Sequence, residues 1–134
     1  MIKFEKKIQY LLFFFLILIL IFFAIVSSQT ICDDLDGKKR YGVLFLKESE
    51  KPYTGRSLCI WDINNTVWYE GNYKDGLKEG LWTFYNIDST KKSEINYRDG
   101  KMNGVRLIYD SNNQIIKRME CKEDICKTIN QAID

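Results

Sequence analysis

Residues Tyr73–Tyr85 read YKDGLKEGLWTFY, and residues Tyr97–Tyr109, 24 positions later, read YRDGKMNGVRLIY. The first tyrosine, the aspartate-glycine pair, the second glycine and the last tyrosine recur at the same offsets. A fixed period of this length is typical of repeat architectures. Extending the register in both directions predicts three 24-residue units, which are residues 53–76, 77–100 and 101–124.

The register is also visible in aromatic and aliphatic positions. Trp61, Tyr85 and Tyr109 are spaced by 24 residues. The first unit is the loosest, because Gly55 misses the glycine column by one position. The third unit departs at its end, where Cys121 replaces the tyrosine. The period therefore holds over about three copies, with imperfect outer ones.

Each unit contains two strand-like runs. In the middle unit, residues 80–85 are rich in aromatic side chains, residues 86–90 have turn composition, and residues 93–97 alternate polar and apolar. Asp99-Gly100 then gives a hairpin-turn signal. Such short connections exclude the crossovers that parallel strands need. We therefore predict an all-β fold, a meander of tandem antiparallel hairpins preceded by one hydrophobic N-terminal helix.

The predicted hairpins must share a buried stripe, because one hairpin alone is not stable. We expect Gly76 and Gly100 to supply turn conformations and Gly80 and Gly104 to allow close approach of a neighbouring backbone or ring. The stripe is assigned to Leu58, Ile60, Trp82, Phe84, Ile95, Tyr97, Leu107 and Tyr109.

The N-terminal segment differs from the rest of the chain. Residues 11–26 are sixteen consecutive apolar residues, and Lys3, Lys6 and Lys7 precede them. This order is typical of export signals. We expect residues 1–28 to form a signal peptide cleaved after Val26-Ser27-Ser28, or a retained anchor in which residues 8–26 span the membrane. A core helix of a globular domain is the alternative.

Four cysteines, Cys32, Cys59, Cys121 and Cys126, all follow this segment. An even number in an oxidising compartment suggests disulfides. Three pairings are open, and the short spacing of the last two favours a local Cys121–Cys126 loop, with Cys32–Cys59 holding the N-terminal strand. Buried free thiols are the alternative. We expect the chain to face the outside of the cytoplasm on a membrane anchor, or to be secreted or periplasmic.

Several functions are disfavoured by composition. Without Lys3, Lys6, Lys7 and Glu5, 17 basic and 17 acidic residues remain, so no excess positive charge favours nucleic acid. The chain has no histidine, which is the commonest general base and metal ligand. Carboxylates at the turns are ordinary solvated residues. We predict a protein that is not an enzyme, with no cofactor and no metal site.

The repeated sequence resembles MORN repeats, specifically the bacterial variant repeats that are also found in the YwqK family of antitoxins. The resemblance covers about residues 41–124, including the opening Lys51–Gly55 and a lead-in edge strand at Tyr41–Phe45. Arg106 replaces the motif tryptophan in the last copy. The matching positions are Tyr73, Gly76, Gly80, Trp82, Tyr85, Tyr97, Gly100, Gly104 and Tyr109. The resemblance implies the same hairpin meander and, for function, binding and neutralising a toxin protein.

The predicted organisation has residues 29–52 as a lead-in strand region and residues 125–134 as a short helix or loose tail. The expected function is a non-catalytic protein-interaction unit of antitoxin or immunity type, exported or tethered to the membrane. Its expected partner is a protein, for example a toxin, or an envelope surface, and not a nucleic acid. A structural envelope component without a specific ligand is the alternative, and a small hydrolase is the third hypothesis. Exposed aromatic and arginine side chains are the expected partner-binding anchors: Trp68, Tyr69, Tyr73 and Arg106.

Overall fold

The structure is a computed structural model that describes residues 2–26 and 30–129. The described elements are α1 (Ile2–Val26), α2 (Asp33–Asp36), β1 (Gly37–Arg40), β2 (Val43–Leu46), β3 (Gly55–Ile60), β4 (Val67–Lys74), β5 (Leu77–Tyr85), β6 (Lys91–Arg98), β7 (Lys101–Tyr109), β8 (Ile115–Lys122) and β9 (Ile125–Thr128). Strands β3 to β9 form one seven-stranded antiparallel sheet in sequential order. The predicted all-β hairpin meander behind one N-terminal helix is confirmed.

The hairpin turns preserve the sequence period in the backbone. Asp75-Gly76 and Asp99-Gly100 both have positive φ angles at their two residues, 50° and 78° in the first turn and 49° and 81° in the second. Two successive positive φ angles define the type I′ turn, whose twist matches that of antiparallel strands. The third copy, Glu123-Asp124, adopts the same conformation without glycine, at 48° and 67°.

Gly80 and Gly104 have a different role from the predicted one. A Cβ atom on Gly80 would meet nothing within 4 Å, and one on Gly104 would meet Asn96 at 3.4 Å. Both residues have positive φ, 71° and 104°. They lie beside register shifts in the strand pairs. Glycine is therefore favoured by the backbone conformation of a bulge, and the expectation of close approach was wrong.

The lead-in region covers one side of the sheet near β3 and β4. Ile31 forms a parallel bridge with Ser57, and β1 pairs with β2 in a separate two-stranded ribbon. The ribbon is joined to the first I′ turn, because the Leu44 amide donates to the Gly76 carbonyl at 2.8 Å. The segment Tyr41–Phe45 is thus a turn followed by most of β2, so the predicted lead-in strand is present, but it belongs to the two-stranded ribbon and not to the main sheet.

The core lies between the lead-in and the sheet. Its buried members are Ile31, Leu44, Tyr53, Cys59, Tyr69, Tyr73 and Trp82. The predicted stripe is correct at Trp82 and Ile95, which are buried, but Ile60 is 43% exposed. Leu58 and Leu107 belong to one cross-strand row that runs through Glu70, Thr83 and Glu94. Thr83 follows Trp82 in β5, so the side chains of this row lie on the opposite face of the sheet from Trp82.

Two disulfides are present, Cys32–Cys59 and Cys121–Cys126. They match the favoured pairing, and the free-thiol alternative is wrong for these four residues. The first bond ties the lead-in to β3. The second crosses between neighbouring positions of β8 and β9. Residues 125–128 therefore form a strand, so the expected helix or tail is wrong there, and residues 130–134 lie outside the described chain.

Helix α1 is separate from this core. Its described side chains, from Lys7 to Ile21, are exposed, so the interpretation as a core helix is wrong. Among the described residues, no helix combines the length and apolarity needed to cross a membrane. The expected cleavage site at Ser27-Ser28 lies outside the described residues.

Candidate functional site

A cleft of about 530 Å³ lies where the turns after β3 and β5 approach each other. Its size is within the range of small-molecule and side-chain pockets. Its walls are predominantly aromatic and aliphatic, with few polar groups. The lining residues are Trp61, Trp68, Phe84, Tyr85, Asn86, Ile87, Lys92, Ser93 and Ile95.

Strand irregularities position the aromatic wall. Register shifts occur between Cys59 and Ile60 and between Phe84 and Tyr85, one position out of the 24-residue register in successive hairpins. Beyond the first shift, the Trp61 and Trp68 rings pack with centroids 4.8 Å apart. Trp68 also contacts buried Tyr69 edge-on, at 4.9 Å. The cleft wall is therefore anchored on the core.

Few polar groups of the cleft remain available. The Tyr85 hydroxyl donates to Glu70 at 3.0 Å, and the Asn86 amide donates to Thr90 at 3.0 Å. The Trp61 indole Nε1–H is buried and has no acceptor among the described residues. Lys92 alone among the lining residues carries a charge. The cleft thus offers an apolar pocket, the hydroxyl of Ser93 and one cation, and Trp61 in its wall carries a buried, unused donor.

The tyrosine that lines the cleft belongs to a repeated interaction. The Tyr85–Glu70 hydrogen bond recurs 24 residues later as Tyr109–Glu94, with the hydroxyl donating at 2.5 Å. Burial and the hydrogen bond to Glu94 raise the pKa of Tyr109 to about 12. Both phenols are therefore neutral donors at physiological pH. The pair joins adjacent strands on the face opposite the core.

A second polar cluster lies beneath the lead-in, around the buried carboxylate of Asp33. The Ser57 hydroxyl donates to it at 2.6 Å and the Tyr73 hydroxyl at 2.8 Å. Burial alone would raise the pKa of Asp33. The hydrogen bonds and the charge of Lys39 lower the pKa by more than burial raises it, so the pKa of Asp33 lies below its usual value. Burial, followed by the charge of Asp33, raises the pKa of Tyr73. This arrangement fixes the lead-in to the sheet.

Lys78 lies on the aromatic side of the same cluster. Its ammonium is 3.9 Å from the centroid of a Trp82 ring and 5.3 Å from that of Tyr97. Such cation–π contacts stabilise a partly desolvated ammonium group. Burial lowers the pKa of Lys78, and the negative charge of Asp33 opposes the shift.

Trp82 is fully buried, and its packing depends on a glycine that the repeat analysis did not single out. A Cβ atom on Gly71 would lie 2.2 Å from the Trp82 ring. The ring crosses β4 at that point, and its Nε1–H donates to the Asn72 carbonyl at 3.1 Å. The column containing Gly71 has isoleucine and methionine in the later units, so no periodicity pointed to it.

The predicted partner-binding anchors separate in the structure. Trp68 lines the cleft. Tyr69 and Tyr73 are only 6% and 4% exposed, so their prediction as exposed anchors was wrong. They lie on the strand face that the lead-in covers. Arg106 is half-buried on β7, where it pairs across the strands with the lining residue Ile95 without lining the cleft itself, and its Nε has no acceptor within the described chain.

Most of the cleft was not anticipated as a site. Trp61 and Tyr85 were recognised as repeat positions, and their shared column was the available signal. Ile87 and Lys92 follow in the turn and the next strand, where the sequence shows only ordinary composition. Their convergence depends on the bulges in β3 and β5.

Within residues 2–26 and 30–129, no three cysteine, aspartate or glutamate side chains converge as a metal site. Comparisons of the chain with protein-family models, curated proteins and solved structures found no match. The resemblance to MORN-type repeats therefore stays a prediction.

Proposed function

We propose that this chain is an exported, non-catalytic repeat module that binds a protein partner through its aromatic cleft. The observation that carries the proposal is the cleft itself, where Trp61, Trp68 and Phe84 border one depression of about 530 Å³. Tryptophan and tyrosine dominate the energetics of protein interfaces, especially in pockets that exclude water. A rigid antiparallel sheet holds these rings in place before binding, which lowers the entropy cost of association.

Export is supported by two features together. The apolar segment of residues 11–26 follows lysines, as in export signals. Both disulfides lie after that segment, and disulfides persist in oxidising compartments. We propose that the β-module lies outside the cytoplasm, either released after cleavage or held by residues 8–26 at the membrane.

The resemblance to antitoxin repeats suggests a specific form of this function, in which the partner is a toxin neutralised outside the membrane. Under this proposal, deleting the chain sensitises cells to a toxin encoded by a neighbouring gene. Unchanged resistance would exclude the immunity role and leave the more general binding function, or an envelope role without a ligand.

Capture from the extracytoplasmic fraction tests the binding function directly. The bait is the full-length chain in mild detergent, as wild type, Ile87→Asp or Ile116→Asp. Ile87 lines the cleft, whereas Ile116 is an exposed isoleucine on β8. We expect a protein that binds wild type and Ile116→Asp, is lost with Ile87→Asp, and repeats this pattern after purification. Equal capture by all three baits contradicts a role for the cleft.

A further inference from the structure

We infer that the cleft recognises a peptide segment that places a large apolar side chain beside an acidic residue. This inference rests on the proposed function and names the chemistry of the partner. Its first support is the composition of the walls, because Trp61, Trp68 and Ile95 offer apolar surface without a competing charge. Burying one aromatic or branched side chain there is favourable by the hydrophobic effect.

The second support is the charge of the rim. Lys92 lines the cleft, is exposed, and forms no ion pair among the described residues. The neighbouring lysine differs, since Lys91 is bound to Glu94 at 2.5 Å. An unpaired ammonium beside an apolar pocket favours a ligand with a carboxylate adjacent to its apolar group. Such charge complementarity determines specificity more than affinity.

The third support is the unused donor. The Trp61 Nε1–H is buried without an acceptor in the described chain, and a buried donor in that state carries a desolvation cost. Trp61 lines the cleft, so a movement of its ring on binding would bring this donor to a backbone carbonyl of the seated peptide. Binding would therefore recover a cost that is already present in the free protein.

A peptide fits these groups better than a sugar. Carbohydrate ligands also stack on aromatic rings, but their hydroxyl groups require many hydrogen-bond partners. Here the Tyr85 hydroxyl is used by Glu70 and the Asn86 amide by Thr90. The cleft therefore retains too few free polar side chains to replace the hydration of several sugar hydroxyls.

Three fluorescently labelled, terminally blocked peptides test the inference by anisotropy: Gly-Asp-Trp-Asp-Gly, Gly-Ser-Trp-Ser-Gly and Gly-Lys-Trp-Lys-Gly. The protein is the full-length chain in mild detergent. We expect the acidic peptide to bind about two- to fivefold more tightly than the basic one, the range that exposed charge pairs can supply. Lys92→Glu should reverse the order, and Lys92→Arg should retain it.

Lys117→Glu provides the matched control, because Lys117 is an exposed lysine on β8 outside the cleft lining. It should leave the order unchanged. Equal affinities for the three peptides, or a reversal by Lys117→Glu as well, overturn the inference while the capture experiment still decides the proposed function. Binding of a chito-oligosaccharide with no binding of any peptide overturns both.

Discussion

Trp82 determines much of the core because its indole has no solvent exposure and packs where β4 has no side chain. The ring contacts Tyr73 edge-on, with centroids 5.1 Å apart, and Lys78 lies over it. Ring, glycine and cation form one packed unit. The consequences of altering it can be measured one side chain at a time.

Trp82→Ala should reduce the free energy of unfolding by ~3–5 kcal/mol, because it leaves a large cavity in the core. Urea denaturation measures the change. The control is Leu81→Ala at the adjacent position, where leucine is 50% exposed. A Trp82→Ala effect no larger than that of Leu81→Ala would contradict the assigned burial.

Gly71→Ala should lower stability by ~1–3 kcal/mol through overpacking against the indole. The clash depends on the ring, so the same change should cost much less in a Trp82→Leu background. A double-mutant cycle measures this coupling. Additive effects of the two substitutions would show that Gly71 is needed for another reason.

Asp33→Asn should destabilise the protein at neutral pH by ~1–3 kcal/mol, because a buried charged acceptor for Ser57 and Tyr73 is lost. The folded-state pKa of Asp33 lies below the usual 3.8. Its stabilisation is therefore complete above about pH 4 and lost as the pH falls through the folded-state pKa.

Denaturation of wild type and Asp33→Asn from pH 7 to pH 2.5 checks the sign of this dependence. The difference in the free energy of unfolding between the two proteins should become smaller only at pH values below the usual pKa of aspartate. A difference that widens toward acid would contradict a depressed pKa. Lys39→Ala provides a second test, because removing that nearby cation should move the narrowing to higher pH.

Between elements, the disulfides and the repeated turns perform separate tasks. Cys32–Cys59 closes a loop of sequence separation 27 and joins the lead-in to β3, whereas Cys121–Cys126 closes one of separation 5 within a hairpin. The I′ turns already bring β8 and β9 together without the second bond. The first disulfide therefore restricts the unfolded chain more than the second.

Replacing both cysteines of the first disulfide by serine should cost ~3–4 kcal/mol, and doing so for the second ~2 kcal/mol, by the loop-entropy relation. Urea denaturation of the two double variants measures the difference. Non-reducing peptide mapping of wild type should first recover both bonded peptides. A larger loss of stability in the variant without Cys121–Cys126 than in the variant without Cys32–Cys59 would contradict the hypothesis that loop entropy determines the two costs.

Across the whole molecule, the lead-in and the repeats share one core. Leu44 is 1% exposed and belongs to the same cluster as Trp82, although the two residues lie in different sheets. The β-module should therefore unfold as one cooperative unit. The lead-in is a structural component of the fold and more than a linker from α1.

Leu44→Ala should lower the stability of the whole module by ~2–5 kcal/mol. Tryptophan fluorescence and far-ultraviolet circular dichroism should report the same midpoint, as expected for a two-state transition. Ile63→Ala, at an exposed turn residue, is the control. Two separate midpoints would show that the lead-in folds independently of the sheet.

The 24-residue period was sufficient to predict the meander, its antiparallel pairing and its hairpin turns at the aspartate-glycine pairs. These features depend on local chemistry, since aspartate-glycine pairs specify turns and short connections exclude crossovers. The favoured disulfide pairing could also be inferred, because sequence distance limits which cysteines form a local loop. These properties depend on residues that are close together in the sequence.

Which aromatic side chains face the core could not be read from the period. Bulges shift the alternation, and the lead-in covers one face of the sheet, so Tyr69 and Tyr73 became buried while Trp61 and Trp68 came to line a cleft. Gly71 likewise has meaning only beside the Trp82 ring. These outcomes depend on contacts between residues in different strands, and a one-dimensional pattern does not contain those distances.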